Sequence, residues 1–368
     1  MSVLVLVGDY PPPGGSDFVH TRNRYYLSQG LDVSVLSFAA KASYMIDGIS
    51  VYSPEAWGDR LADQEFGILV CHAPNLRQHY RFLYRYHQRF PRIVFVFHGH
   101  EVLRCSKVYP KPYPFVPQQF LVRSHLQDLY DTLKLHVWKR TLENLAYKSH
   151  FVFVSRWMYS EFMRWVKMDP SLMADRCRVI YNSVGQEFER SSYNPHSAKV
   201  YDFVTLRSDL DGSKYCIDIV TDLARNYPQY GFCVVGRGSF FQHYPKPDNL
   251  ALIERSLGHS EIVELLNQSR CALMPTRLDA QGVMACETAT FGIPVITSDL
   301  PLCTSEIFRG FRNVGFISNE SPIEGFVSLF EKLVSSQSSP QNARFYAENT
   351  TAKEVALIRD ALQSLATP

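Results

Sequence analysis

The sequence contains no Cys-x-x-Cys pair and no cysteine cluster; its eight cysteines, at positions 71, 105, 177, 216, 233, 271, 286 and 303, stand singly. Such scatter excludes a disulfide framework and suits the reduced thiols of a cytosolic protein. No stretch reaches the roughly 18–20 consecutive apolar residues that a membrane span requires. The opening "MSVLVLVGDYPPP" lacks a basic segment, and its apolar run is too short for a secretory signal. It is expected to form a buried first strand. Low-complexity tracts, internal repeats and RNA- or DNA-binding motifs are missing as well. What remains is a globular composition, 46% hydrophobic and 20% charged, over 368 residues, which is long enough for two domains.

A strong excess of one charge is absent from the whole but not from its parts. Residues 1–185 hold 22 Lys+Arg against 15 Asp+Glu, a net +7. Residues 186–368 hold 16 against 21, a net −5, and the halves sum to the overall +2. A basic half beside an acidic one suggests that one of them faces an anionic surface or substrate.

Short apolar runs alternate with helix-length amphipathic segments. "VLVLVG", "VSVLSF", "FGILVCH", "RIVFVFHG", "HFVFVS" and "RVIYN" read as strands of a first half; "YDFVTLR", "GFCVVG", "LALIERS", "CALMPT" and "PVITSD" read as strands of a second. Continuous apolar strands alternating with helices imply parallel sheets covered on both faces. The expected fold is therefore α/β, with two Rossmann-like doubly wound parallel-sheet domains facing a central cleft. The first domain is expected over residues 1–185 and the second over 201–345. A linker is expected at 186–200, where "VGQEFERSSYNPHSAKV" is polar and turn-rich, and a terminal helix over 346–368 that crosses back to the first domain.

"DAQGVMACETATFGIPVITSD" (279–299) places two carboxylates, Asp279 and Glu287, around Gly282. Val283 to about Phe291 has helical composition, Gly292 suits a C-cap and Pro294 stops continuation. A helix starting near Gly282 offers free N–H groups and a positive dipole end to an anion. Glu287, one turn in, could reach ribose hydroxyls, and Asp279 a sugar beyond the phosphates. A plain strand–turn–helix with solvated carboxylates is the other reading of this stretch taken alone.

Together with "PPPGGSDFVHTRNRYYLSQGLDVSVLS", "HGHE", "FVFVSRWM", "RVIYNSV", "LRSDLDGSKYCIDIV", "FCVVGRG" and "SLGHSEIVELLNQSRCALMPT", this block resembles the GT-B glycosyltransferases. The closest resemblance is to the retaining nucleotide-sugar transferases of family 4, and it runs from residue 3 to about residue 300. Its most specific part is the Glu-x7-Glu motif, with Asp279 where the first Glu normally stands. The resemblance implies that Asp279 contacts hydroxyls of the transferred sugar and Glu287 the ribose. It implies that amides around Gly282 and Val283 hold the diphosphate, with Arg207 and Lys214 as the cations that stabilise the leaving group. His98 would contact the donor sugar near the reacting carbon, with His100 as a neighbour. Gly14 and Gly15 would form a glycine loop that approaches donor phosphate and acceptor. Two fixed cations also have an independent physical rationale, because breaking a sugar–phosphate bond builds negative charge on the leaving oxygens. No residue reads as a covalent nucleophile. "DLD" at 209–211 has the form of a metal-binding triplet but lies in the loop between these cations, so no metal and no cofactor are expected.

In "NLRQHYRFLYRYHQRFPR" (75–92), Leu76, Tyr80, Leu83, His87 and Phe90 share one helical stripe, with Arg77, Arg81, Arg85 and Arg89 opposite. No acidic residue lies between Glu65 and Glu101, so these arginines have no partners along the helix. A solvated face is one reading. Contact with an anionic membrane or a lipid-diphosphate acceptor is the other. The nearby "KVYPKPYPFVP" (107–117) reads as an exposed aromatic loop on the acceptor side. The implied activity is that of a cytoplasmic enzyme, peripheral at the inner membrane face, using a nucleotide sugar and a saccharide or lipid-linked acceptor in surface-glycan assembly. A GT-B-fold sugar-nucleotide epimerase and a catalytically silent nucleotide-sugar-binding module are the alternatives.

Overall fold

Runs of Val, Ile, Leu and Phe with few charges can be buried on both faces, and here they pair into two separate sheets. The computed structural model describes residues 2–13, 17–57, 64–116, 120–336 and 341–363. The chain divides into a first unit, Met1–Lys107, His125–Ser183 and Tyr346–Pro368, and a second, Val108–Ser124 and Val184–Phe345.

The first unit holds β1 (Ser2–Val7), β2 (Asp32–Ser37), β3 (Tyr44–Ile46), β4 (Ile49–Tyr52), β5 (Ile68–His72), β6 (Arg92–Phe97), β7 (Ser149–Phe153) and β8 (Cys177–Val179). Their order is β3-β4-β2-β1-β5-β6-β7-β8. Among the described strands, only the edge pair β3–β4 is antiparallel. That hairpin was not among the expected strands, although its signal is legible. Asp47 and Gly48 both take positive φ, 48° and 78°, as a two-residue primed turn demands, and Asp-Gly is the dipeptide that supplies it. The second unit holds β9 (Tyr201–Asp209), β10 (Phe232–Arg237), β11 (Leu250–Ile253), β12 (Ser269–Met274), β13 (Val295–Ser298) and β14 (Val314–Ile317), in order β11-β10-β9-β12-β13-β14 and all parallel.

Two segments differ from the sequence expectation. Residues 186–200 are built into the second unit rather than standing apart as a linker. Gln186–Arg190 forms a helix whose Phe188 is fully buried against Phe291 and His259, and Tyr193 N–H donates to the Phe291 carbonyl at 2.9 Å. Polar composition concealed this because one aromatic anchor per turn suffices to dock a short helix. Residues from Val108 also belong to the second unit. Tyr113, expected to be exposed, is 7% accessible and packs on Phe240, with its hydroxyl donating to Asp218 at 2.9 Å. The terminal helix Thr351–Gln363 lies in the first unit, where Val355, Ile358 and Ala361 join the core beside β1 and β5.

An ion pair fastens that last helix. Arg22 and Glu354 are both fully buried, with Nε to Oε2 at 3.1 Å, and Arg22 Nη1 donates to Asn182 Oδ1 at 2.8 Å. Removing one partner of such a pair strands the other charge, at a cost of about 3–5 kcal/mol. All four tryptophans, at 57, 138, 157 and 165, lie in the first unit, so their fluorescence reports its unfolding alone. Glu354→Ala is expected to lower the urea stability of that transition by about this amount. The double substitution Arg22→Met with Glu354→Leu should recover most of it; a double variant as weak as the single one would show that charge burial is not the cause.

Candidate active site

In an open parallel sheet, ligand chemistry collects at the carboxyl ends of strands where the order reverses. In the first unit that point lies between β1 and β5, and in the second between β9 and β12. Of the predicted site residues, His98, His100, Arg207, Lys214, Asp279 and Gly282 fall at strand ends or in the connections that follow them, whereas Val283 and Glu287 lie within the helix Val283–Phe291 and Arg81 and Arg85 within the helix His79–Tyr86.

His72 closes β5, and His98 follows β6 on the neighbouring strand. The side chains meet with Nδ1 of His72 and Nε2 of His98 3.1 Å apart. Burial, then the Arg22 charge and His100, holds the His98 imidazolium well below its ordinary pKa. Burial, with His98 and Arg22, does the same to His72. Both rings are therefore neutral. Glu101 is 1% exposed and turns back as a cap: its carboxylate accepts from the Gly99 N–H at 2.9 Å and from the His98 N–H. Lys134 closes the same loop from the helix Phe120–Leu145, donating to the carbonyls of His100 (2.8 Å) and Leu103 (2.9 Å) and to Asp131 (2.8 Å). His100 is 69% exposed, with Nδ1 3.8 Å from the Glu101 carboxylate. Gly14 and Gly15 lie outside the described residues.

In the second unit, Arg207 stands near the end of β9. Its Nη2 donates to the Pro275 carbonyl at 2.7 Å, while its buried Nε has no hydrogen-bond partner. Lys214 extends over the ring of Tyr215, with Nζ 4.6 Å from the centroid, and lies 5.7 Å from that of Tyr109. Among the described residues neither cation has a carboxylate within ion-pair distance. Arg277, which sequence reading missed, positions the Lys214 loop. Its guanidinium clamps Asp218 in two contacts of 2.9 and 2.6 Å, and its N–H donates to the Lys214 carbonyl at 2.9 Å. No motif marks Arg277, because its role depends on Asp218 arriving from another helix.

The expected anion site has the predicted backbone. The helix Val283–Phe291 begins at Gly282 with φ 72° and ends at Gly292 with φ 98°, both in the region that favours glycine. Asp279 also has a local role. Its Oδ1 accepts from the Gly282 N–H at 2.8 Å and the Gln281 N–H at 3.2 Å. The Gly282 amide is thus engaged, and the amides free of intrahelical partners start at Val283. The same carboxylate is close enough to act on the Arg207 charge. Glu287 is 4% exposed, and its Oε1 accepts from the Gly185 N–H at 3.0 Å. His259 spans two carboxylates, with Nδ1 3.1 Å from Glu187 and Nε2 3.7 Å from Glu287. Burial raises the Glu287 carboxyl above its ordinary pKa of 4.5, partly offset by His259 and the Gly185 amide.

The "DLD" triplet fastens a turn: Asp211 accepts from the Ser239 N–H at 2.8 Å and from its hydroxyl at 3.0 Å. No group of three His, Cys, Asp or Glu side chains that could hold a metal occurs among the described residues. Arg77, Arg81, Arg85 and Arg89 are all exposed, on or beside the helix His79–Tyr86.

Residues 187–350, most of the second unit, match the family of glycosyl transferases group 1. Among solved structures, sucrose-phosphate synthase from Thermosynechococcus elongatus superimposes with a TM-score of 0.72 at 13% identity, covering 99% of each chain. WaaG, a glycosyltransferase involved in lipopolysaccharide biosynthesis, gives 0.60 at 12% identity, covering 100% of this chain and 95% of that one. The catalytic domain of starch synthase IV from Arabidopsis thaliana, bound to ADP and acarbose, gives 0.58 at 11% identity over 98% and 99%. No match to the sequence is found among curated proteins. The fold is that of the GT-B glycosyltransferases, and within the second unit residues 187–350 are similar to the glycosyl transferases group 1 family.

Neutral, buried histidines carry a pH signature. The unfolded chain takes up protons near the ordinary pKa of 6.5, whereas folded His72 and His98 resist them, as do His79 and His150, each held down to about 4 by burial. Stability is therefore present above about pH 6.5 and falls as pH drops below it. NMR titration is expected to find no protonation of the His72 and His98 rings near pH 6.5; a normal midpoint there would refute their burial as a neutral pair.

Proposed function

We propose that the protein is a retaining, metal-independent glycosyltransferase that moves a sugar from a nucleotide diphosphate to a saccharide acceptor. The observation that supports this best is the pair of cations, Arg207 and Lys214, that have no ion-pair contact among the described residues, at the β9/β12 switch point beside the helix start at Val283. A diphosphate placed there meets two fixed positive charges and the free amides of a helix N-terminus. Glu287 takes the ribose hydroxyls, using the carboxylate oxygen that Gly185 does not engage, with His259 holding the group in place. Asp279 faces the transferred sugar from the helix start, and the family resemblance assigns the neutral ring of His98 to the same sugar. Starch synthase IV, with ADP in its described complex, supports a nucleotide-diphosphate product.

In this mechanism the bond from the anomeric carbon to the phosphate oxygen breaks first. Arg207 and Lys214 stabilise the charge left on the diphosphate. The acceptor hydroxyl forms the new bond on the same face, and its proton passes to the departing phosphate. The cations supply the electrostatic role a metal would otherwise fill, and Asp211 is committed to the Ser239 turn. The acceptor is read as a lipid-linked saccharide handled at the inner membrane face. The unpaired arginine row and the lipopolysaccharide role printed for WaaG support that reading.

A thermal-shift screen with UDP-, GDP-, ADP- and CMP-sugars identifies the donor. A donor at about 100 times its Kd adds about 2.7 kcal/mol of stability. Arg207→Ala is expected to lower kcat by about 10²–10³, the usual effect of losing one group that stabilises developing charge. Transfer unchanged in Arg207→Ala would sink the proposal. Donor affinity is expected to fall on acidification at a pH above 4.5, because the raised carboxyl of Glu287 must be ionised to accept from ribose hydroxyls. In calorimetric titrations Glu287→Gln should bind more weakly and lose that pH dependence; retention of it would reassign the titrating group.

A further inference from the structure

Among the described residues, large exposed apolar side chains occur mostly singly, with one exception. On the helix Phe120–Leu145, Leu126, Leu129, Tyr130 and Leu133 are 57%, 67%, 40% and 57% exposed. Their spacing of three, four and seven puts them on one stripe. The opposite face already supplies the core through Leu135, Trp138, Leu142 and Leu145, all under 9% exposed. The outer leucines therefore contribute nothing to the fold that would explain them, and a patch of this kind marks a contact surface.

Its position ties it to the site. The same turns of helix carry Asp128, paired to Arg104, and Asp131 and Lys134, which hold the loop after His98. The stripe thus lies at the carboxyl-end side of the first sheet. Further along the helix, Val137 and Arg140 line a 480 Å³ groove with Tyr80, Leu83, Tyr84 and His87. Tyr84 is 75% exposed on the groove, and Arg77, Arg81, Arg85 and Arg89 are exposed on the same helix and its ends; none of the four forms an ion pair among the described residues.

We propose that this surface docks the first unit onto an anionic lipid bilayer, with Leu126, Leu129 and Leu133 entering the acyl boundary and the arginine row meeting lipid phosphates. Apolar side chains beside unpaired cations complement an anionic interface on both counts, and Tyr84 and Tyr130 suit the headgroup level, where an aromatic body and a polar tip are both satisfied. A second copy of the chain is the poorer occupant, because a two-fold contact centred here would bring one positively charged patch against another. Docked in this way, the His98–Glu101 loop is held beside the headgroups, where a lipid-linked acceptor presents its saccharide. This consequence rests on the proposed function; the docking itself does not.

The test is flotation of the full chain with phosphatidylcholine vesicles, with and without phosphatidylglycerol. Wild type should float with the anionic vesicles, less so in high salt. The triple substitution Leu126→Ser, Leu129→Ser, Leu133→Ser should weaken partitioning by about tenfold or more, given the transfer free energy of three leucines. The thermal shift produced by the donor should be unaffected in that variant. Leu129→Trp gives a second readout, with its added indole emission quenched by brominated acyl chains. Wild type that stays at the bottom with anionic vesicles overturns the proposal, as does a serine variant that floats like wild type or a Leu129→Trp variant whose emission is not quenched. A dimer that the serine variant breaks, without flotation, overturns it in favour of self-association. Flotation intact in a protein that binds no nucleotide sugar leaves the surface standing and removes the donor reading instead.

Discussion

A guanidinium and a carboxylate, both fully withdrawn from water, join residues 332 positions apart, and the first unit is organised around that contact. Buried Arg22 is engaged at Nε by Glu354 and at Nη1 by Asn182, while its Nη2 and the Glu354 Oε1 stay without a hydrogen-bond partner. Each charge therefore relies on the other, and the terminal helix is what brings Glu354 there. The pair does more than close the core. The Arg22 charge also acts on His72 and His98, adding to burial in keeping both rings neutral. A structural ion pair thereby reinforces what burial imposes on the histidines at the strand ends.

The second unit solves a different problem at the equivalent place. Its sheet end gathers cations rather than neutral rings, and those cations are left without carboxylate partners among the described residues. The Arg207 Nε is buried without a hydrogen-bond partner, which is costly in the isolated protein. Asp279 divides its capacity between the helix start and the Arg207 field. It therefore shapes the anion site as much as it occupies it. With the Gly282 amide engaged by Asp279, the amides left without intrahelical partners start at Val283.

Both halves use second layers of polar contacts to hold short loops. Glu101 and Lys134 fix the turn after His98; Arg277 and Asp218 fix the turn that carries Lys214; His259 and Gly185 fix Glu287. Preorganisation of this kind lets a site stabilise developing charge without rearranging as it forms. Most of these partners come from elements remote in sequence, so they belong to no local pattern.

That remoteness explains which features could be read in advance. Parallel sheets, the helix Val283–Phe291 with its terminal glycines, and the exposure of the arginine row follow from local apolar runs, backbone preferences and charge spacing, all carried by neighbouring residues. The Asp-Gly hairpin was equally local. The division of the chain was not: residues 186–200 and Tyr113 look like solvated loops because their docking depends on Phe291 and Phe240. The His72–His98 pair, the Arg22–Glu354 contact and the outward leucines of the helix Phe120–Leu145 arise only when strands and helices are placed side by side. Sequence alone determined the periodicities and the identities of the charged groups. Tertiary structure decided which of them are neutral, which are paired and which are left facing a ligand, because burial and Coulomb interactions depend on distance in space.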